Sequence, residues 1–519
     1  MTELAYPSGL HPRATGMRLQ DFKSLLKPRV VLRFADEVVE RIAFHSGDVE
    51  PGTLFFAIPG NKLDGASYVD EALDRGAIAI VSERPMSLRV PVFVVEDVRR
   101  ALADSACHFY ENPSAEMDVI GVTGTNGKTT VTHMIRHILE TDGRSAGLLG
   151  TISYEFGGRR LPAPNTTPDP VRLQGYLREM ADRRIEACAM EVSSHALVQE
   201  RVRGVRFGVG VFLNLTQDHL DYHGTMGSYA AAKARLFRQL PPGGTAVLNA
   251  DADPAAVSAM YDALPMGTRV VSFGRAPSAT IRAQNIRCSM DGARFGLVMP
   301  HGVLDVSLPL PGEHNVENAL AAAATCHALG VSEISIAHAL ETMPPVRGRM
   351  ELAAARGGVR VFVDYAHTPD ALEKACVALR SLTDGPVTVV FGCGGDRDRT
   401  KRPQMAVAAA RFADRLILTS DNPRSESPEQ ILDDVEAGVL RPPAGADLRA
   451  REYARLVDRA EAIERAVRLA RPDETILVAG KGHETYQDFG DTVVPFDDRE
   501  HARRAMDRFG PAGQEPRGW

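Results

Sequence analysis

The sequence predicts an α/β protein of three successive domains, the second built on a parallel sheet and the third on a doubly wound one. Three observations carry that expectation. At 519 residues the chain is too long for one hydrophobic core, and about three domains is the natural partition. Apolar runs of strand length, such as residues 209–214 and 475–479, are continuous rather than alternating, as in strands buried on both faces of a parallel sheet. These runs alternate with helical patterns, and the polar motifs fall just after them, where such sheets bind ligands.

The first unit, 1–113, is a small α/β domain. Residues 53–58 read as a strand closed by Pro59-Gly60, followed by a helical pattern at 68–75 and a second apolar strand at 77–81. The second unit, 114–345, opens with a short apolar run at 118–120, a glycine turn and a helical pattern over 131–140. Strands follow at 187–191 and 209–214, then alternating runs over 280–308 that read as antiparallel strands, then an alanine-rich helix at 313–329. After Met343-Pro344-Pro345 the third unit, 346–519, places strands at 359–363, 387–391, 415–419 and 475–479 between helices, a Rossmann-like pattern. The sequence contains no internal repeat or low-complexity tract, and the tail from Gly510 is expected to fray.

Composition narrows the class. The apolar (44%) and charged (24%) fractions are those of an ordinary globular protein, and a formal charge of -7 argues against a general nucleic-acid binder. No apolar run approaches the roughly 18 residues of a membrane span. The N-terminus, with Glu3, His11 and Pro12, lacks the apolar core of a signal peptide. Six scattered cysteines without a C-x-x-C pair suggest reduced thiols, so a cytoplasmic protein is expected, acting as a monomer. Cys393, in a glycine-rich loop, reads as a small residue in a crowded turn rather than a nucleophile.

The most informative stretch is Gly121-Val122-Thr123-Gly124-Thr125-Asn126-Gly127-Lys128-Thr129-Thr130. A strand, a glycine turn and a helix N-terminus make a phosphate cradle, because free backbone N–H groups and the helix dipole converge on an anion. Lys128 is placed to reach the terminal phosphates of ATP and Thr129 to ligate Mg²⁺. The strict Walker pattern is missed by one place, since Val122 stands where its first Gly belongs. Glu191, at a strand end in Glu191-Val192-Ser193-Ser194-His195, is either a Mg²⁺ ligand or a capping carboxylate. The loop Asn214–His223 packs two Asp and two His, which suits a transition-metal site or simply a helix cap. Lys233 sits in a helical string, where the local pattern favours an exposed lysine.

With these strings in this order, the chain resembles the Mur ligases, ATP-dependent amide-bond synthetases of peptidoglycan assembly. The resemblance runs over nearly the whole chain. Its further carriers are Gly312-Glu313-His314-Asn315-Val316-Glu317-Asn318, Gly348-Arg349-Met350-Glu351, Val363-Asp364-Tyr365-Ala366-His367-Thr368-Pro369-Asp370 and Gly480-Lys481-Gly482-His483-Glu484. Within the group, Asp421-Asn422-Pro423-Arg424 and Gly394-Gly395-Asp396-Arg397-Asp398 resemble the branch that adds the third residue of the peptide stem.

The resemblance implies an N-terminal UDP-sugar-binding domain, a central ATP-binding domain and a C-terminal domain for the incoming amino acid. ATP would phosphorylate the D-glutamate carboxylate of UDP-N-acetylmuramoyl-L-alanyl-D-glutamate, and the amine of meso-2,6-diaminopimelate would attack the acyl phosphate. It assigns ATP to Gly124, Thr125, Asn126, Gly127, Lys128, Thr129 and Thr130, with Asn318 near the base and Arg349 and Asp364 joining when domains close. His367 is either a phosphate contact or a helix cap. Thr129 and Glu191 would hold one Mg²⁺ and His219 a second. Lys233, carbamylated by CO₂, would become an anionic metal ligand.

The UDP-muramoyl-dipeptide falls to Ser46, Asn61, Lys62, Leu63, Asn165, Thr166, Thr167, Ser193, Gln199 and Arg201. Gly47 stands where the family commonly carries Arg, which puts the local nucleotide contact in question. Arg397 and Arg424 would grip the distal carboxylate of diaminopimelate as planar forks. Asp421 and Glu484 would take its ammonium, while Asn422, Pro423 and Gly480 shape the site and supply hydrogen bonds. Rival expectations are another Mur ligase, a folylpolyglutamate synthetase, or a noncatalytic ATP-binding switch.

Overall fold

The computed structural model describes residues 17–60 and 64–511, and the runs read as strands assemble into three main sheets. The first has five strands in the order Val30–Leu32, Val92–Val94, Ala77–Ser82, Thr53–Phe56, Arg41–Ala43, parallel except at the Val30–Leu32 edge. Helix Val98–Phe109 packs its buried Val98, Leu102, Ala106 and Phe109 at helical spacing into this layer's core. The helical pattern expected over 68–75 is a helix Val69–Asp74 entered through a 3₁₀ turn, Gly65–Tyr68, that Asp64 caps.

The second sheet has eleven strands. Its parallel centre runs Ile281–Ser289, Arg269–Gly274, Thr245–Asn249, Phe207–Phe212, Asp118–Thr123, Ala187–Glu191, Ala146–Leu149, with antiparallel strands beyond it on both flanks. Asp118–Thr123, first in the chain among these, lies between the two later strands that carry Glu191 and Asn214 at their ends. The glycine turn and both polar motifs therefore leave the sheet side by side. Helix Lys128–Thr141 buries Val131, Met134, Ile135, Ile138 and Leu139 against helix Glu313–Ala328. The run Ala319–Ala324 on that helix is fully buried, and its small side chains allow the two backbones a close approach.

The third sheet orders Glu351–Arg356, Val359–Asp364, Thr475–Ala479, Val387–Phe391, Arg415–Leu418 and Glu452–Arg455, all parallel except the first. Central Thr475–Ala479 brings Gly480 beside the ends of its two neighbours. Strands that the sequence reading passed over, such as Ala146–Leu149, Arg159–Pro162 and Glu351–Arg356, are short or lie at a sheet's flank, where hydrophobic patterning is weakest. Among the described residues, no helix is long and apolar enough to cross a membrane, and all six cysteines are free.

Candidate active site

The phosphate loop is pinned from the neighbouring strand end. Asn214 accepts the Asn126 amide on Oδ1 (2.9 Å), and its own carbonyl accepts the Thr125 amide (3.1 Å). Gly127 has φ +89°, and a Cβ there would lie 2.4 Å from Asn318 Oδ1, so only glycine fits against that side chain. Lys128 curls back, its Nζ donating to the Gly124 and Thr125 carbonyls at 2.9 Å each. Burial lowers its pKa, opposed by the Glu191 and Asp218 carboxylates. The Thr129 hydroxyl accepts a 3.0 Å bond from Arg349 Nη2, a residue of the hinge beside the third sheet.

Glu191 is 1% exposed, and both its oxygens are held by Thr151, through the backbone N–H (2.8 Å) and the hydroxyl (3.0 Å). Gly150 makes room for this carboxylate, since a Cβ there would come within 2.5 Å of Oε1. Among the described residues Glu191 has no ion-pair partner, an arrangement costly for a buried anion unless a cation arrives.

Lys233 overturns the local expectation of an exposed lysine. It is 1% exposed, on the inward face of helix Met226–Arg238, because its neighbours Tyr229, Ala230, Ala234 and Phe237 form that helix's buried stripe. Its Nζ lies 4.4 Å above the Tyr229 ring, and among the described residues it has no hydrogen-bond or ion-pair partner. Burial and the nearby Lys128 cation push its pKa well below that of an ordinary lysine, only partly opposed by Asp218. Beside Lys233, the rings of His195, His219 and His223 cluster with Tyr222 and Tyr229, His195 lying 4.8 Å from His219. Burial pushes the His219 imidazole down to about 4. Among the described residues, no group of three or more His, Cys, Asp or Glu is gathered to hold a metal ion by itself.

The third sheet's edge meets the phosphate loop directly. Arg349 stacks over the Tyr365 ring at 4.7 Å. Asp364 is occupied in shaping this hinge, accepting the Met350 (2.7 Å) and Ala366 (2.8 Å) amides, and burial raises its pKa. Asp370 reaches across to Asn126 Nδ2 and the Thr216 hydroxyl, both at 3.0 Å, while Lys374 holds the same oxygen. Thr368, not His367, caps helix Pro369–Leu382, so His367 stays exposed with only its Nδ1 on the Tyr365 carbonyl.

Two cavities flank this centre. One, of about 170 Å³, lies between the first and second sheets and is lined by Phe44, His45, Arg99, Asn165, Gln199 and Arg201. Arg201 is fixed there by the Gln199 side-chain oxygen (2.7 Å) and the Thr167 carbonyl (3.1 Å). Thr167 also donates to the Glu191 carbonyl and accepts the Ser193 amide, linking this cavity to the metal-binding candidates. Ser46 begins the short turn Ser46–Asp48, where Arg75 donates to the Gly47 carbonyl (2.8 Å). Asn61, Lys62 and Leu63 lie outside the described residues.

The other cavity, about 740 Å³, opens between Thr151–Thr166 of the second sheet and Arg397, Arg424 and Glu484 of the third. Arg424 donates to the Gly395 carbonyl at 2.6 Å, whereas Arg397 is exposed and its side chain has no hydrogen-bond partner among the described residues. Asp421 and Asn422 are buried, and the φ of +116° at Gly480 admits Asp421, whose Oδ2 would lie 2.4 Å from a Cβ. Pro423 presses against Gly395, fixing the loop that carries Arg397. Glu484 Oε2 is shared by Asn422 Nδ2 (2.9 Å) and Lys481 Nζ (3.0 Å). Sequence reasoning gave no role to Thr151, Asp370 or Lys481. Asp370 and Lys481 lie within strings that carry the family resemblance, whereas Thr151 carried no local signal.

A phosphate loop facing a hinged, arginine-lined cavity defines an ATP-dependent ligase that works between domains. Family comparison agrees: the chain matches the catalytic domain of the Mur ligase family over residues 39–110, the Mur ligase middle domain over 122–326 and the Mur ligase glutamate ligase domain over 348–482. It is 47% identical to UDP-N-acetylmuramoyl-L-alanyl-D-glutamate–2,6-diaminopimelate ligase of Geobacillus thermodenitrificans, over 94% of this chain and 99% of that one. The protein of the same name from Geobacter metallireducens is 43% identical over 96% and 100%. A solved structure of an enzyme so named superposes with a TM-score of 0.67 at 31% identity, covering 95% of this chain and 99% of that one. The ADP complex of MurF ligase from Thermotoga maritima, 19% identical, shares the fold with a TM-score of 0.60 over 85% and 93%. The chain belongs to the Mur ligase family.

Proposed function

We propose that this chain joins meso-2,6-diaminopimelate to the D-glutamate carboxylate of UDP-N-acetylmuramoyl-L-alanyl-D-glutamate, cleaving ATP to ADP and phosphate. It acts as a cytoplasmic monomer with domains at 1–113, 114–345 and 346–519. The proposal rests on one observation above others: Arg397 and Arg424 line the same cavity as Glu484, directly across from Asn165 and Thr166. A zwitterionic side-chain end fits that lining, and the dipeptide's carboxylate would arrive from the opposite wall.

Phosphoryl transfer of this type depends on position and charge neutralisation. Lys128 leaves the Gly124 and Thr125 carbonyls for the γ-phosphate, while the loop amides cradle the rest. Asn318, against Gly127, stands towards the base. Arg349 and Asp364 bring the hinge onto the nucleotide as the domains close. Ser46, Asn61, Lys62 and Leu63 hold the uridine end; Asn165, Thr166, Thr167, Ser193, Gln199 and Arg201 hold the muramoyl-dipeptide. Asp421, Asn422, Pro423 and Gly480 complete the amine pocket.

The unpaired Glu191 carboxylate fits a divalent cation, as do the hard oxygen of Thr129 and the imidazole of His219. Lys233, as a neutral amine, adds CO₂ by forming an N–C bond and releasing one proton, which converts it into an anionic ligand for the same region. Bound Mg²⁺ supplies neutralisation of phosphate charge. The test is ADP release with the UDP-linked dipeptide and each candidate amine, with the product's mass determined. A product of dipeptide plus diaminopimelate is expected; activity with folate substrates, or with none, would refute the proposal.

A further inference from the structure

The proposed reaction uses Gly480 and Glu484 but leaves Lys481, between them, without a part. Its side chain is fully buried. Nζ donates to Asn422 Oδ1 (2.9 Å) and Glu484 Oε2 (3.0 Å), lies 4.0 Å from Asp421 Oδ1, and sits 5.4 Å from the Tyr486 ring centre. Asn422 donates to the same Glu484 oxygen, so Asn422, Lys481 and Glu484 form a closed triangle in which each touches the other two. Asn422 Oδ1 also accepts the Asp488 amide at 3.1 Å, which ties the triangle to the hairpin Tyr486–Asp488 and Val493–Pro495.

A positive charge therefore already stands between the two acids that face the far end of an incoming diamine. Behind the cavity wall Lys481 pairs with Glu484 and faces Asp421, and Arg424 lies 3.8 Å from Asp488, while Arg160, Arg347 and Arg397 add further positive charge to the lining. A lone ammonium entering this pocket would add a further cation and leave Arg397 without an anion. A zwitterionic end adds no net charge and gives the arginines their partner.

Resting on the function proposed above, we infer that Lys481 is a specificity-determining positioning residue. It locks Glu484 and Asn422 in place and takes up the charge of the acid pair, so the far carboxylate of the amine dominates its recognition. The class of substrate favoured is an amino acid bearing a second carboxylate at its far end, with the far ammonium secondary.

The experiment compares kcat/KM of the full-length wild-type chain, with ATP and the UDP-linked dipeptide, for meso-diaminopimelate, L-2-aminopimelate and L-lysine. Aminopimelate lacks only the far ammonium, lysine only the far carboxylate. The expected losses are about 10-fold for aminopimelate and about 1,000-fold for lysine, because arginines deprived of the far carboxylate cost more than a Glu484 carboxylate already paired with Lys481. A greater loss for aminopimelate than for lysine would overturn the inference and leave the proposed function standing. No turnover of diaminopimelate at all would instead remove the function on which it rests. In Lys481→Met the preference for diaminopimelate over lysine should fall by about 10-fold or more, with Lys481→Arg restoring it. An unchanged ratio in a folded Lys481→Met would also overturn it, and if that variant does not fold, the wild-type comparison decides alone.

Discussion

The phosphate loop and the amine pocket are built by opposite strategies. The loop comes from ten consecutive residues, and its work falls to backbone amides and one lysine folded onto its own carbonyls. The pocket draws on three separated segments, 394–397, 421–424 and 480–484, and its side chains are already bonded to one another. A site that waits for a highly charged nucleotide can park its lysine on its own carbonyls until the anion arrives. A site that must discriminate between similar amines needs its groups immobilised beforehand, because loose side chains adapt to the wrong partner.

The sharpest way to separate the two regions is to disable each and ask which half-reaction survives. Lys128→Met should cost about 1,000-fold or more in kcat, and ADP formation should vanish even before amine is added. Retention of ADP formation would mean that the lysine does not serve the phosphate. Lys233→Ala is next, with a loss of about 100-fold or more, partly restored by a small carboxylic acid that replaces the missing anion in the cavity. Full activity without rescue would rule that role out.

Arg424→Ala should act on the amine alone. Its kcat/KM for diaminopimelate should fall by about 100-fold, as for other lost charge-assisted pairs, while nucleotide affinity, read by ADP titration, is unchanged. The exposed Arg397 should cost less when replaced by Ala, about 10-fold, because water can take over its role. Equal losses at the two arginines would erase the distinction between an anchored and a loose fork.

The smallest effect is on stability. Burial pushes His314 down to about 4 and His483 down to about 3, from 6.5 for a free imidazole. The unfolded chain then binds more protons than the folded one below about 6.5. Stability should therefore be flat above neutrality and fall as pH drops towards 4. A Tm that rises between pH 7 and pH 5 would contradict this.

Much of the machinery was legible because its chemistry is local. The strand–turn–helix at 118–141, the continuous apolar strands and the order of polar strings at strand ends all follow from short-range patterning, which period and glycine placement encode directly. The class of enzyme and the candidate ligands came from the resemblance of those strings to the Mur ligases. Burial of Lys233 was not legible, since a helix of alanines flanking one lysine looks alike whether that face meets solvent or a sheet. Nor was the Asp370 contact with the phosphate loop, which joins residues 244 positions apart. The same holds for the pairing of Lys481 with Glu484 and Asn422. Sequence alone determined which groups this ligase carries and which strand ends present them. Tertiary structure decided which charges meet and which stay unpaired, because dehydration and ion pairing depend on what packs around a group rather than on its neighbours along the chain.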